Sequence, residues 1–440
     1  MSPKEDRNGK SLRYSIVDGV FASLMTGFTQ DYFTPYLLVL GGTIKHVGIS
    51  TALSQLASSV IQLRSADIAD RLRSRKRLIN IFVFLQAMML LPMIFTYIMG
   101  GMRIAAFIAV AALFAAFGSF VLPAWGSLMA DLVASDKRGE YFGWRSKVLG
   151  FAAIASTFTA GFILHEAKRF DVFLGFAAVF AMAFIFRLVS WRCLNKMHEP
   201  EMRRKDGDYF TLYDFISRMR NSNFGRFVLF VSLMKLAVYV ASPYFAVLML
   251  KDLKFDYITY TAITVASALS TNLTIKRWGM HADRVGNLMV LKITSRLAAF
   301  IPLLWLINQH PAFLFFTQVF AGFAWAGFNL SASNFIYDAC SPGKRTRCIA
   351  YFNFFSGLSL CAGALIGAFL AERLSAGIFG YGIMNIIFIS AVLRLAVAFI
   401  IPFRLKEVRA VEGIKGHELI FSVINAKPAF AKERADLTQD

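Results

Sequence analysis

Two charged residues lie deep in apolar sequence: Asp31 within GFTQDYFTPYLLVL and Lys235 within FVLFVSLMKLAVYV. Burying either charge alone costs several kcal/mol, so each requires a partner, a water-filled cavity or a solute. A carboxylate so placed can alternate between protonated and ionised forms, which is the chemistry of ion coupling, and an ammonium can be its partner or a counter-ion for the solute. The alternative is a structural ion pair between helices. Trp325 and Asn329 are four residues apart and share one helix face. An indole beside an amide suits an amphipathic organic molecule, or else serves interhelical packing and hydrogen bonding. Gln30 and Gln55 offer the same amide chemistry.

Other chemistries find no support in the sequence. No segment reads Gly, four variable residues, Gly-Lys-Ser/Thr, so direct coupling to nucleotide hydrolysis is not expected. The six His fall in loops, at span ends or in the tail, and the four Cys form no paired framework. No metal site and no cofactor are expected. No His, Ser or Cys constellation points to an enzyme.

What positions these residues is a run of apolar segments. Hydrophobic residues make up 57% of the 440 and charged residues only 17%, against about a quarter in soluble domains. Twelve stretches can cross about 30 Å of hydrocarbon, at roughly 15–39, 47–68, 78–99, 104–130, 142–164, 172–192, 227–249, 258–278, 288–307, 312–336, 349–371 and 378–403. The chain reads as an all-α integral membrane protein in contact with the lipid bilayer. Lys and Arg show a roughly four-fold excess in the N-terminal arm, the even-numbered loops and the tail over the odd-numbered loops, which predicts that both termini face the cytoplasm. The net charge of +20 has the same origin and does not call for nucleic acid. The polar start MSPKEDRNGKSLR precedes an apolar run long enough to remain as a span, so no cleaved leader is expected. Arg64, Arg145, Lys147, Arg187, Lys292, Arg296 and Arg394 lie near predicted cytoplasmic ends, where long side chains can snorkel.

The longest polar interruption runs from Asn195 to Arg226. Phe210, Tyr213, Phe215, Ile216 and Met219 recur there at helical spacing, predicting an amphipathic helix on the inner membrane surface. The predicted organisation is an arm at 1–13, six spans within 14–194, the connector at 195–226, six more spans within 227–403, and a surface tail at 404–440. The two sets of spans repeat one another. DLVASDKRGEYFGWRSKVLG aligns without a gap on DACSPGKRTRCIAYFNFFSG, pairing Asp131 with Asp338, Arg138 with Arg345 and Gly150 with Gly357. At nearly the same offset TPYLLVL pairs with SPYFAVL, and Lys235 pairs with Gly27. An internal repeat of this kind is the mark of a transporter.

The loop after span 2, ADIADRLRSRKRL, returns after span 8 as GMHADRVGN. The second copy has Gly279 and Gly286 flanking Asp283 and Arg284; the first keeps Asp70 and Arg71 but has Ala66 and Arg73 where the glycines belong. These loops, with the repeat, resemble the major facilitator superfamily. The resemblance implies twelve transmembrane helices in two pseudo-symmetric six-helix bundles, with spans 1, 4, 7 and 10 around a central cavity. It further implies that Asp70 meets the start of span 11 near Arg347 and Asp283 the start of span 5 near Tyr141. There unsatisfied N–H groups favour an acid. Arg71, Arg284, Arg138 and Arg345, with Asp131 and Asp338, would complete a cytoplasmic latch. The implied function is secondary transport of a small organic solute by a monomer in a plasma membrane, a bacterial inner membrane, coupled to a proton or another ion. A receptor or scaffold without flux is the rival reading, and a drug or metabolite exporter the rival within transport.

Overall fold

The computed structural model describes residues 3–63, 68, 71–133, 138–200, 212–219, 221–340, 345–374, 380–408 and 416–423. Among these there is no strand. The N-terminal half holds span 1 (Pro3–Gly27, continued by Phe33–Val39), span 2 (Ile44–Leu63), span 3 (Arg75–Phe95), span 4 (Arg103–Leu132), span 5 (Arg138–Ala167) and span 6 (Val172–Asn195). The C-terminal half holds span 7 (Asn223–Tyr239), span 8 (Tyr257–Val285), span 9 (Asn287–Ile307), span 10 (Pro311–Ala339), span 11 (Arg345–Arg373) and span 12 (Gly382–Ile400). Nine helices among the described residues are long and apolar enough to cross a membrane; spans 1, 2 and 8 are helical but more polar. Several polar side chains of spans 1 and 2, among them Asp18, Thr26, Ser50, Ser54 and Ser58, face a cavity.

The repeat is visible in the packing. Span 1 packs on spans 5 and 6, span 4 on spans 2 and 3, and span 3 on span 6; span 7 packs on 11 and 12, span 10 on 8 and 9, and span 9 on 12. Span 2 crosses span 11 and span 5 crosses span 8, so the contacts that join the halves also exchange under the same relation. Gly150 and Gly357 sit at those two crossings, where a Cβ would run into Asn272 and Ser59 respectively. Absence of a side chain is what lets the helices approach there.

Paired prolines break spans 1 and 7 at matching places. Pro35 and Pro243 lack an N–H and crowd the carbonyl four residues earlier, so the helix cannot run straight through. Span 1 leaves α-geometry at Phe28–Thr29 and makes a short 3₁₀ turn at Gln30–Tyr32; span 7 ends at Tyr239 and makes one at Ser242–Tyr244. The tyrosine after each proline is buried. Tyr36 reaches Thr96 Oγ1 at 2.8 Å, and Tyr244 donates to the Ala364 carbonyl at 2.7 Å. Past span 7, Asp256 caps span 8 by accepting the Thr259 N–H at 2.7 Å, which holds its carboxyl below the usual range.

The connector forms a short helix, Leu212–Arg218. It buries Phe215 against Phe224, Tyr351 and Phe355, while Tyr213 is left 79% exposed. Phe210 lies outside the described residues. The tail is more than an appendage: in Gly416–Val423, Leu419 and Val423 are fully buried in one cluster with Trp278, Ala282 and Val285 at the end of span 8. Apolar positions four apart give that short helix a face to dock.

Candidate functional site

A cavity of about 760 Å³ runs from Asp18, Arg187 and Leu194, near the face that carries the arm and connector, to Leu37 and Ser242 near the opposite face. Its walls come mainly from spans 1, 2, 3 and 4. Spans 5 and 6 add Arg145 and Arg187, and span 7 with the turn after it adds Tyr239 and Ser242. Of spans 1, 4, 7 and 10, expected around a central cavity, spans 1 and 4 line this one, span 7 adds Tyr239 at its end, and no residue of span 10 lines it. Asp31, Gln30 and Gln55 line the cavity; Lys235, Trp325 and Asn329 do not. Trp325 packs edge-on to Phe328 at 5.3 Å between ring centroids, and Asn329 is exposed.

Asp31 and Lys235 are not brought together. The Lys235 ammonium lies 5.0 Å from the ring centroid of Phe352 in span 11, a cation–π contact, while Asp31 is on the cavity wall near Thr157 of span 5. The repeat explains the placement: Gly27, the mate of Lys235, faces Ser156 and Ala153 of span 5, and Lys235 faces span 11, the mate of span 5. Spacing along the helix therefore did not tell which way the side chain faces.

Sequence reasoning missed a buried charge cluster on the cavity wall. Asp18 is 4% exposed; its Oδ1 accepts the Ser190 hydroxyl at 2.6 Å, and that hydroxyl accepts an Arg187 N–H at 3.1 Å. An Arg145 nitrogen lies 4.0 Å from the other carboxylate oxygen and also donates to the Ser15 carbonyl at 3.2 Å. The guanidinium covers the Trp125 ring at 4.4 Å. Arg145, Arg187 and Arg394 are thus buried and bonded, not snorkelling, whereas Lys147 is exposed as expected. The overlooked signal was an acid three residues past the start of the apolar run 15–39, on the i, i+4 line Asp18, Ala22, Thr26, Gln30 that faces the cavity.

The halves are tied at the opposite face. Tyr32 Oη lies 2.9 Å from Thr261 Oγ1, Tyr260 donates to the Asp31 carbonyl at 2.6 Å, and Lys45 pairs with Glu372 at 3.2 Å. The Asp31 carbonyl is available because Pro35, four residues on, has no N–H to give it.

At the near face, Asp131 pairs with Arg75 at 2.6 Å, and Glu199 accepts the Arg75 backbone N–H at 2.7 Å. In the other half Asp338 accepts Asn287 Nδ2 at 2.7 Å, and Glu407 accepts the Leu288 N–H at 2.7 Å. Each acid pair holds the start of span 3 or span 9, where free N–H groups favour negative charge. Of the gate residues, Asp70 and the side chains of Arg138 and Arg345 lie outside the described residues. Arg71, Asp283 and Arg284 are exposed. Gly279 meets Leu330 at ordinary contact distance. Gly286 turns the chain between spans 8 and 9 with φ +86°, and Arg73 makes the matching turn with φ +50° despite its side chain. Tyr141, near the start of span 5, donates to the Leu12 carbonyl at 3.2 Å.

The Major Facilitator Superfamily sequence profile matches residues 19–275 and 227–433. No curated protein matches. Among solved structures, a mutant form of the nucleoside transporter NupG is similar at TM-score 0.70 and 15% identity, over 89% of this chain and 98% of that one. A bacterial homolog of the human lysosomal transporter Spinster, inward-facing and unoccupied, is similar at TM-score 0.66 and 13% identity, over 92% and 97%. The human organic anion transporter MFSD10 follows at TM-score 0.62 and 15% identity, over 91% and 99%. Those identities speak for the fold; the profile, spanning both six-helix halves, makes this multi-pass membrane protein a member of the major facilitator superfamily.

Proposed function

We propose that this chain is a secondary active transporter that moves a small organic solute by alternating access, coupled to protons through Asp31. The observation that carries this reading is the polar cavity of about 760 Å³ enclosed by apolar helices, with Asp31 on its wall and ties between the halves at one face. Both termini are assigned to the cytoplasm of a plasma membrane by the excess of basic residues on their side. With that orientation the ties lie on the outer face, as expected of an inward-facing state. Two of the named neighbours are a nucleoside transporter and an organic anion transporter, so the fold leaves the solute class to the cavity's own chemistry.

Asp31 is fixed at the break in span 1, where its carbonyl holds Tyr260 of the other half. A proton taken up by its carboxylate therefore acts next to the contact that must open. Asp31→Asn is expected to abolish solute accumulation against a gradient in proteoliposomes while leaving exchange of labelled solute largely intact; undiminished proton-driven accumulation would refute the assignment. The latch reading of the loops is tested separately. Asp70→Asn and Asp283→Asn are each expected to move the population further inward-open by about 1–3 kcal/mol, or roughly five- to 150-fold. Unchanged access of thiol reagents to cysteines placed on either side of the cavity would count against it. Binding of a solute with no flux would favour a receptor.

A further inference from the structure

The cavity wall carries many hydrogen-bonding side chains with no partner among the described residues. On span 2, Ser50, Ser54 and Ser58 recur at i, i+4 and i+8, and on span 1 Gln30 and Thr34 continue a line of the same spacing. None of these five makes a side-chain hydrogen bond among the described residues. Gln86 of span 3 is 94% buried, since only 6% of it is exposed. It donates through Nε2 to the Phe114 carbonyl at 3.3 Å, and its Oε1 is buried with no donor among the described residues. Span 4 makes room for this amide with Gly118, where any Cβ would overlap it. A buried acceptor without a donor is costly, and Gln86 borders the cavity, so a small turn of its amide would bring Oε1 to a donor on whatever fills the cavity.

The charged groups are already committed. Asp18 is held by Ser190 and flanked by Arg145 and Arg187, while Arg145 is further engaged by the Ser15 carbonyl and the Trp125 ring. An anionic solute would have to displace Asp18 to reach these guanidiniums. What the cavity offers openly is hydroxyl and amide groups, within the about 300–1,000 Å³ typical of small-ligand sites.

We propose that the solute is uncharged and hydroxyl-rich, bound against spans 1, 2 and 3, with Gln86 Oε1 accepting one of its hydroxyl or N–H protons and the serines of span 2 exchanging hydrogen bonds with its other hydroxyls. This deepens the transport reading and rests on it, because Asp31 is reserved there for the proton and not for a cationic solute.

The test uses the full-length protein in lipid nanodiscs, titrated calorimetrically with four probes. Methyl α-glucoside and uridine are uncharged; glucuronate and glucosamine place a negative or positive charge on a sugar ring of similar size. The expected result is saturable binding of at least one uncharged probe and weaker or no binding of the charged two. Gln86→Leu should weaken the uncharged probe at least about tenfold. Because that change also frees the Phe114 carbonyl, Ser54→Ala with Ser58→Ala is the second variant; these hydroxyls bond nothing among the described residues, so thermal stability should hold while affinity falls several-fold. Tighter binding of a charged probe, no binding by any of the four, or uncharged binding untouched by both variants overturns the proposal. Flux of the bound probe in proteoliposomes separates the two readings: binding without flux removes transport and keeps the site, whereas flux of a charged probe keeps transport and removes the site chemistry.

Discussion

Arg187 and Arg394 occupy the same place in the two halves, separated by the offset that relates Asp131 to Asp338, and both are buried. In the N-terminal half Arg187 serves Ser190 and through it Asp18, on the wall of the cavity. In the C-terminal half the position matching Asp18 is Arg226, and Arg394 turns to oxygens within the protein: Ser390 Oγ at 3.1 Å, the Val238 carbonyl at 3.3 Å and the Ala298 carbonyl at 3.5 Å. Ser390 in turn donates to the Ala237 carbonyl at 2.6 Å, so two carbonyls beside the break in span 7 are satisfied by span 12. Duplication preserved the guanidinium while its task diverged: one half uses it to hold a carboxylate on the cavity wall, the other to mend a broken helix.

The largest effect should fall on this pair. Arg187→Met leaves the Asp18 carboxylate buried with less compensation and is expected to cost about 3–5 kcal/mol. Asp18→Asn in the same chain should recover most of that loss. Arg394→Met strips donors from neutral oxygens only and should cost about 1–3 kcal/mol, with no acid whose removal rescues it. Thermal unfolding of the three variants in nanodiscs measures the difference. Equal costs in the two halves, or no rescue by Asp18→Asn, would break the comparison.

A second pair should instead behave alike. Gly150 and Gly357 do the same work at the two crossings, so Gly150→Ala and Gly357→Ala are each expected to destabilise by about 1–3 kcal/mol through overpacking. Both should also slow interconversion, because the crossings join the halves. A large loss at one site and none at the other would show that the halves meet less symmetrically than the helix packing indicates.

The fold was largely legible because its signals are long or repeated. Twelve apolar runs locate the spans, and Pro35 and Pro243 announce matching breaks through a local steric rule that tertiary context cannot remove. The aligned glycines carry over to aligned crossings. The site was less legible, because direction around a helix axis decides it and depth does not. Lys235 faces Phe352 and not the cavity, whereas Asp18 lies on the cavity face. Arg145 and Arg187 have side chains long enough to reach headgroups, and only their neighbours, Trp125 and Ser190, show that they turn inward. The placement of the cavity in one half had no sequence signal of its own beyond the line of serines in span 2.

Two tyrosine bonds near the break in span 1 also differ in what they tie. Tyr260→Phe removes a hydrogen bond between halves and should cost the tied state about 0.5–1.5 kcal/mol. Distances between spin labels across the opposite face would report a larger open population. Tyr36→Phe removes a bond of similar kind within one half, to Thr96, and should lower stability without moving that equilibrium. Equal shifts from both variants would mean that Tyr260 does not gate.

The smallest effect concerns the two copies of the loop, and it has the opposite sign. Gly286 and Arg73 make matching turns with φ of +86° and +50°, but only one of them is glycine. A left-handed conformation costs a residue with a Cβ about 1–2 kcal/mol, whereas glycine adopts it freely and loses about 0.5–1 kcal/mol through its greater freedom in the unfolded chain. The balance predicts that Arg73→Gly stabilises the first loop by about 0.5–1 kcal/mol. Arg73 is exposed, so little packing is lost with it. Gly286→Ala should destabilise the second loop, since its ψ of 153° combined with positive φ falls where essentially only glycine is found. A chain carrying Arg73→Gly should therefore unfold at a slightly higher temperature, and one carrying Gly286→Ala at a lower one. If Arg73→Gly is instead destabilising, the arginine side chain contributes more to the loop than its backbone strain costs, and the first copy departs from the glycine pattern by function and not by tolerance.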